Sequence, residues 1–180
     1  MTTPQPTLEE IHARARGIKL LALDVDGVLT DGKLYFSNSG EEMKSFSTLD
    51  GQGIKLLQSS GVIVALISAR TSQLVSNRAS NLGIQYVLQG SENKLEALMG
   101  IMQKLSLDFS EIAYVGDDLP DLACIRKVAL GITVSNGHWL MKKMAFCTTT
   151  CAGGSGAVRE VCDWILLAQG SFDDAVAEYF

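Results

Sequence analysis

No apolar run in this sequence approaches the roughly 20 residues that span a bilayer. The polar start MTTPQPTLEEIHARARG has no apolar centre of the kind a secretory signal needs. The expectation is a chain with no membrane partner, located in the cytoplasm. Positive charge is also scarce. Fifteen Lys and Arg stand against twenty Asp and Glu, a net charge of -5. Nothing in that balance attracts nucleic acid or an anionic membrane, so a bound phosphate has to be held locally, by a few placed cations or a metal. Histidine occurs only at His12 and His138, and cysteine only at Cys124, Cys147, Cys151 and Cys162. The Cys147–Cys151 spacing is not that of a zinc site, and reduced, mostly buried thiols are expected. Of the three prolines two lie in the first six residues, which predicts a frayed arm there and few interruptions afterwards.

What the chain has is apolar runs punctuated by acids. Its 180 residues suit one compact domain, and 47% hydrophobic with 19% charged residues is a globular balance. The run IKLLALDVD is nearly continuous and short, the pattern of a strand buried on both faces. Residues 61–68, 84–88, 112–116 and 130–134 repeat that pattern, and 145–148 is a weaker case. Between them, residues 53–60, 71–83, 93–105, 119–128 and 156–170 have helical spacing, and LEEIHARARG predicts a short helix ending at Gly17. Strands alternating with helices predict a parallel sheet with helices on both faces. One stretch breaks the rhythm: DGKLYFSNSGEEMKSFSTLDG, from Asp31 to Gly51, has the turn signal SNSG between two strand-like pieces. A β-hairpin inserted after the first strand is expected, beside any site at the carboxyl ends of the strands.

The acids fall at those ends. Asp24 and Asp26 are two apart on a strand and so point the same way. Two carboxylates aimed at one spot repel, and a hard divalent cation relieves the repulsion; a pair of turn-capping aspartates is the alternative. YVGDDLPD repeats the theme with Asp117, Asp118 and Asp121, of which Asp118 or Asp121 could equally cap the following helix. Adjacent strands lie about 5 Å apart, so the two ends can share an oxygen-only site suited to Mg²⁺. Ser68 ends another apolar strand, where a hydroxyl and the turn's N–H groups can hold phosphate oxygens or the serine can simply cap a helix. Lys94 stands near a helix start, against the helix dipole, a placement that suggests another purpose; a solvated surface lysine is the alternative.

The order D-x-D-G-x-L-T, then Ser68, then Lys94, then G-D-D-x-x-D resembles the haloacid dehalogenase superfamily of phosphohydrolases over residues 18–170. The resemblance implies an α/β fold, a Rossmann-like parallel sheet flanked by helices, with the small hairpin in place of a cap domain. It implies Asp24 as nucleophile and Asp26 as acid/base, with Ser68 and Lys94 orienting the phosphoryl oxygens. Asp24, Asp26 (through its backbone carbonyl) and Asp117 would hold Mg²⁺, with Asp118 and Asp121 supporting them. DVDGVLTDG, the short hairpin and GGSGAVREVCDWILLAQG are similar to the 3-deoxy-D-manno-octulosonate 8-phosphate phosphatase family, whose enzymes act in lipopolysaccharide precursor synthesis. That narrower resemblance implies one phosphatase domain over residues 1–180, with a hairpin insert over about 31–48 and a C-terminal tail over about 151–180. It further implies a homotetramer in which the tail, here CAGGSGAVRE, completes a neighbour's site. Substrate contacts map onto Ser47, Thr48, Leu49, Asp50, Gly51, Lys55, Arg70 and Arg78, besides Asp26 and Lys94. The sequence departs from the family pattern at Leu49, Lys55, Ala69, Thr71 and Ser155, all in regions of substrate recognition. A nonulosonate 9-phosphate phosphatase shares these motifs, and a non-catalytic tetrameric interaction module is the alternative from another class.

Overall fold

The computed structural model describes residues 5–180. Most of the expected frayed arm, residues 1–4, lies outside them. Gln5, at the end of that arm, is tied down: its side-chain carbonyl accepts the Thr148 N–H at 2.9 Å.

Helix α1 (Leu8–Ala15) is capped by Thr7 and Glu10 in a reciprocal capping box. It leads into strand β1 (Leu20–Leu23), whose four residues alternate between two cores. The hairpin follows, with β2 (Tyr35–Phe36) antiparallel to β3 (Glu42–Met43). The repeating units come next: α2 (Thr48–Ser59), β4 (Ile63–Ile67), α3 (Gln73–Leu82), β5 (Tyr86–Leu88) and α4 (Lys94–Leu105). The second half comprises β6 (Ile112–Gly116), α5 (Leu122–Ile125), β7 (Leu130–Thr133), α6 (Trp139–Met144), β8 (Cys147–Thr148), α7 (Ala157–Ala168) and α8 (Phe172–Val176).

All six sheet strands are parallel, in the order β5-β4-β1-β6-β7-β8. The fold is therefore the expected α/β sheet, Rossmann-like, with a small antiparallel hairpin beside it. Leu21 and Leu23 of β1 pack with α1, α2, α3 and α7. Leu20 and Ala22 pack on the opposite face with α4, α5 and α6. From β1 the chain builds outward through β4 to β5, then crosses back to β6 on the other side of β1. The crevice at the carboxyl ends of β1 and β6 is thus the switch point, where open α/β sheets bind ligands.

Two expectations of element extent are corrected. α2 begins five residues before the predicted 53, because Ser47 caps it by accepting the Asp50 N–H. Residues 119–125 form a 3-10 turn followed by a single helical turn, instead of one helix to 128, because Pro120 sits in the first turn and Asp118 and Asp121 cap it. All four cysteines are free, three of them buried, as expected for reduced thiols.

Candidate active site

The stretch after β1 turns sharply. The N–H groups of Val28, Leu29 and Thr30 all point to the Val25 carbonyl. The buried Thr30 hydroxyl accepts from Gly27 and Gly32. Gly27 has φ +98°, and a Cβ there would lie 2.1 Å from Asp117 Oδ2. Only glycine lets the β1 loop approach the β6 carboxylate so closely.

That approach gathers the acids. One carboxylate oxygen each of Asp24, Asp117 and Asp121 lie within 4.8 Å of one another. Asp24 and Asp121 are buried. Lys94, also buried at the first turn of α4, places its ammonium 2.7 Å from Asp24 Oδ1 and 2.7 Å from Asp121 Oδ1. The fully buried Tyr114 donates its hydroxyl to the same Asp121 oxygen at 2.8 Å. One ammonium therefore bonds two carboxylates, and a third, Asp117, stands beside them. Burial, and next to it the Asp121 charge, push Asp24 well above the usual carboxylate range, against the pull of Lys94. The same two causes push Asp117 up to about 6. Burial works against the charge on Lys94, but Asp24 and Asp121 outweigh it and raise its pKa. A cluster of oxygen donors with too little positive charge is chemically matched to a hard divalent ion. Asp24 and Asp117 fit that role. Asp121 is already occupied by Lys94 and Tyr114, which makes it a support.

Asp26 stands apart from this group. Its Oδ1 is ion-paired with Lys44 of the hairpin, and its Oδ2 is 3.8 Å from Arg70 Nε. Glu42 of β3 closes the square, 2.8 Å from Arg70 Nη2 and 3.6 Å from Lys44 Nζ. Ser68 follows β4, the other neighbour of β1; it is buried, and its hydroxyl accepts the Arg70 N–H at 3.2 Å. Ser68 thus stands at the end of β4 and Lys94 at the start of α4, the placements expected from the sequence.

Other predicted positions do different work. Asp50 is buried, and its carboxylate accepts from the N–H groups of Gly156 and Arg159, so it caps α7 and is not free for a substrate. Burial still lifts its pKa, with the backbone N–H groups of α7 opposing. Arg78 donates to the Ser47 carbonyl at 3.1 Å and lies over the Phe46 ring. A Cβ at Gly51 would meet Arg78 Nη2 at 2.3 Å, so that glycine makes room for the guanidinium. Thr48, Leu49 and Lys55 are exposed on α2. Asp118 is exposed, and its Oδ1 caps the turn after β6 by accepting the Leu119 N–H at 2.8 Å.

CAGGSGAVRE packs on its own chain: Gly154 donates to the Val28 carbonyl at 2.9 Å, and a Cβ on Gly153 would lie 1.7 Å from the Gly27 carbonyl oxygen. These glycines brace the loop that carries Asp24 and Asp26. Glu160 secures the stretch by accepting from the N–H groups of Thr150 and Cys151.

Sequence reasoning missed Lys44, Glu42 and Tyr114. Glu42 and Lys44 carried a signal: they are two apart, Glu42 on β3 and Lys44 just after it, so in extended chain they project to one side. Tyr114 carried none, because a tyrosine inside an apolar strand reads as core.

Comparison with known proteins follows from this geometry. Residues 86–161 match the haloacid dehalogenase-like hydrolase family. The chain is 46% identical over 170 residues to the 3-deoxy-D-manno-octulosonate 8-phosphate phosphatase KdsC of Escherichia coli K12, covering 94% of this chain and 90% of that one. The chain belongs to the KdsC family of haloacid dehalogenase-like hydrolases. Among solved KdsC-family structures, that of Moraxella catarrhalis 3-deoxy-D-manno-octulosonate 8-phosphate phosphatase, in complex with magnesium, phosphate and KDO, superposes with a TM-score of 0.94. It shares 45% identity, and the match covers 97% of this chain and 100% of that one. The Yersinia pestis enzyme of the same name follows with a TM-score of 0.90 and 42% identity, covering 92% and 89%.

Proposed function

We propose that this chain is a Mg²⁺-dependent phosphatase that converts 3-deoxy-D-manno-octulosonate 8-phosphate to the free sugar acid and phosphate, in lipopolysaccharide precursor synthesis in the cytoplasm. The observation that carries the reading is the buried Lys94 ammonium held between Asp24 and Asp121, with Asp117 alongside. That arrangement leaves Asp24 poised at the switch point with a cation beside it and uncompensated negative charge around it. Similarity to enzymes named for this substrate supports the choice of sugar acid.

Asp24, the backbone carbonyl of Asp26 and Asp117 would hold Mg²⁺. The ion, when bound, neutralises these carboxylates and the charge on the phosphoryl oxygens. A carboxylate oxygen of Asp24 attacks phosphorus and forms an aspartyl-phosphate as the bond to the sugar oxygen breaks. Asp26 donates its proton to that leaving oxygen, then takes a proton from the water that attacks the phosphoenzyme, which regenerates Asp24 and frees phosphate. Lys94 and Ser68 orient the phosphoryl oxygens, since placed positive charge and hydrogen-bond donors do most of the work in such transfers. Arg70, with 44% of its side chain exposed at the edge of the site, supplies a cation for the substrate carboxylate.

The assembly belongs to the same proposal. Leu34, Tyr35, Phe36 and Met43 are exposed on the hairpin, an apolar surface that suits association of four copies. The test of substrate is a side-by-side assay with Mg²⁺ of the eight-carbon 8-phosphate and a nonulosonate 9-phosphate. A higher kcat/KM for the eight-carbon compound is expected; the reverse order moves the assignment to the nine-carbon acid.

A further inference from the structure

We propose that Lys44 is a positioning residue for Asp26, through which the hairpin sets the geometry of acid/base catalysis. The proposal rests on the catalytic reading of Asp26 given above. Lys44 follows β3, whose Met43 is 58% exposed, as is Phe36 at 60% on β2. The Lys44 side chain nevertheless retains only 1% exposure. A covered ammonium is costly unless paired, and two carboxylates pair it: Asp26 Oδ1 directly, and Glu42 Oε1 at 3.6 Å. Asp26 itself keeps 21% of its side chain exposed.

The geometry assigns the two oxygens of Asp26 different tasks. Oδ1 is taken by Lys44, which fixes the plane of the carboxylate. Among the described residues Oδ2 has only the Nε of Arg70 at 3.8 Å, beyond hydrogen-bond distance. Oδ2 is thus the oxygen free to exchange a proton with the leaving group or with water. Glu42 holds Lys44 and Arg70 together and is itself fixed by the Ser72 hydroxyl at 3.1 Å. The hairpin is therefore bound to the loop carrying Asp26 through charge, while Phe36 and Met43 on its two strands are left exposed. Lysine, as a single compact cation on a flexible stem, reaches one oxygen; arginine keeps the charge at a different geometry.

The test is a double-mutant cycle with Mg²⁺, comparing wild type, Lys44→Met, Lys44→Arg, Asp26→Asn and the Asp26→Asn/Lys44→Met pair. Substrates are 3-deoxy-D-manno-octulosonate 8-phosphate and p-nitrophenyl phosphate, whose phenolate leaves without a proton and keeps the Asp26→Asn background measurable. Lys44→Met is expected to lower kcat on the sugar phosphate by about tenfold to a hundredfold, with KM changed by less than about threefold. Lys44→Arg recovers part of the loss. In the Asp26→Asn background the Lys44 change costs less than about twofold, because the group it positions is gone. Equal losses in both backgrounds, or a raised KM with kcat unchanged, overturn the assignment. Should Lys44→Met fail to fold, Lys44→Gln takes its place in the same cycle, with the same outcomes deciding. A wild-type chain that releases no phosphate from either ester overturns the catalytic reading and this assignment with it; an active wild type with additive losses overturns this assignment alone.

Discussion

Lys94 is the residue whose loss the site tolerates least. Replacing it with methionine leaves Asp24 and Asp121, both buried, facing each other without the ammonium 2.7 Å from each. Removing one partner from a buried ion pair costs about 3–5 kcal/mol. We expect Lys94→Met to be inactive and clearly less stable in denaturant melts, with added Mg²⁺ recovering part of the stability but not the activity. Tyr114→Phe is the contrasting case. It removes one donor from Asp121 while Lys94 and the Asp118 N–H stay. The expected cost is about 1–2 kcal/mol with phosphate release reduced less than about tenfold; a loss as large as that of Lys94→Met would mean that Tyr114 does more than hold Asp121. Residue roles were unevenly legible in the sequence. Asp24, Asp117 and Lys94 could be read because they interrupt apolar runs or oppose a helix dipole. The work of Asp50 could not: the family resemblance placed it among the substrate contacts, and nothing near it in sequence shows that α7 stands with its N-terminus on it.

Among the elements, the strands β1, β4, β6 and β7 were legible because apolar blocks with clear ends leave little choice of partner. α6 and α8 were not predicted. α6 has six residues and α8 five, too short for a repeat of helical spacing to show. The tail's approach to its own chain was not legible for a related reason: glycines signal that something passes close by, but not which chain it belongs to. Here it is the catalytic loop, so Gly153→Ala, whose Cβ would lie 1.7 Å from the Gly27 carbonyl oxygen, is expected to displace the loop carrying Asp24. Activity should fall at least about tenfold with the melting temperature lowered by several degrees; unchanged activity would show that the loop does not depend on this brace. The hairpin makes a separate prediction. If the proposed tetramer forms through the hairpin, exchanging Phe36 and Met43, 60% and 58% exposed, for charged residues should shift it toward smaller species in sedimentation, whereas an unaltered mass would place the contacts elsewhere.

For the whole molecule, the uncompensated acids at the switch point couple stability to pH and metal. The folded state raises Asp117 from an ordinary 3.8 to about 6, by burial and then by the Asp121 charge. A raised carboxylate favours folding below its unfolded pKa, and that contribution is lost as pH rises through the folded value. Metal-free protein should therefore lose stability from this group between about pH 4 and pH 6. Metal binding needs the deprotonated ligands, so the gain in melting temperature on adding Mg²⁺ should be larger at about pH 7.5 than at about pH 5. A gain that is equal at both, or greater at the lower pH, would contradict the assignment of Asp117 as a ligand. No described helix is long and apolar enough to cross a membrane, and a crevice open at the strand ends fits a small, diffusible substrate. The most direct test of the central claim is Mg²⁺-dependent phosphate release from 3-deoxy-D-manno-octulosonate 8-phosphate by the wild-type chain and by Asp24→Asn. Steady release by the wild type, stopped by a chelator and lowered at least about a thousandfold by the substitution, is the predicted result. Equal rates for the two proteins, or no release by the wild type, would contradict it.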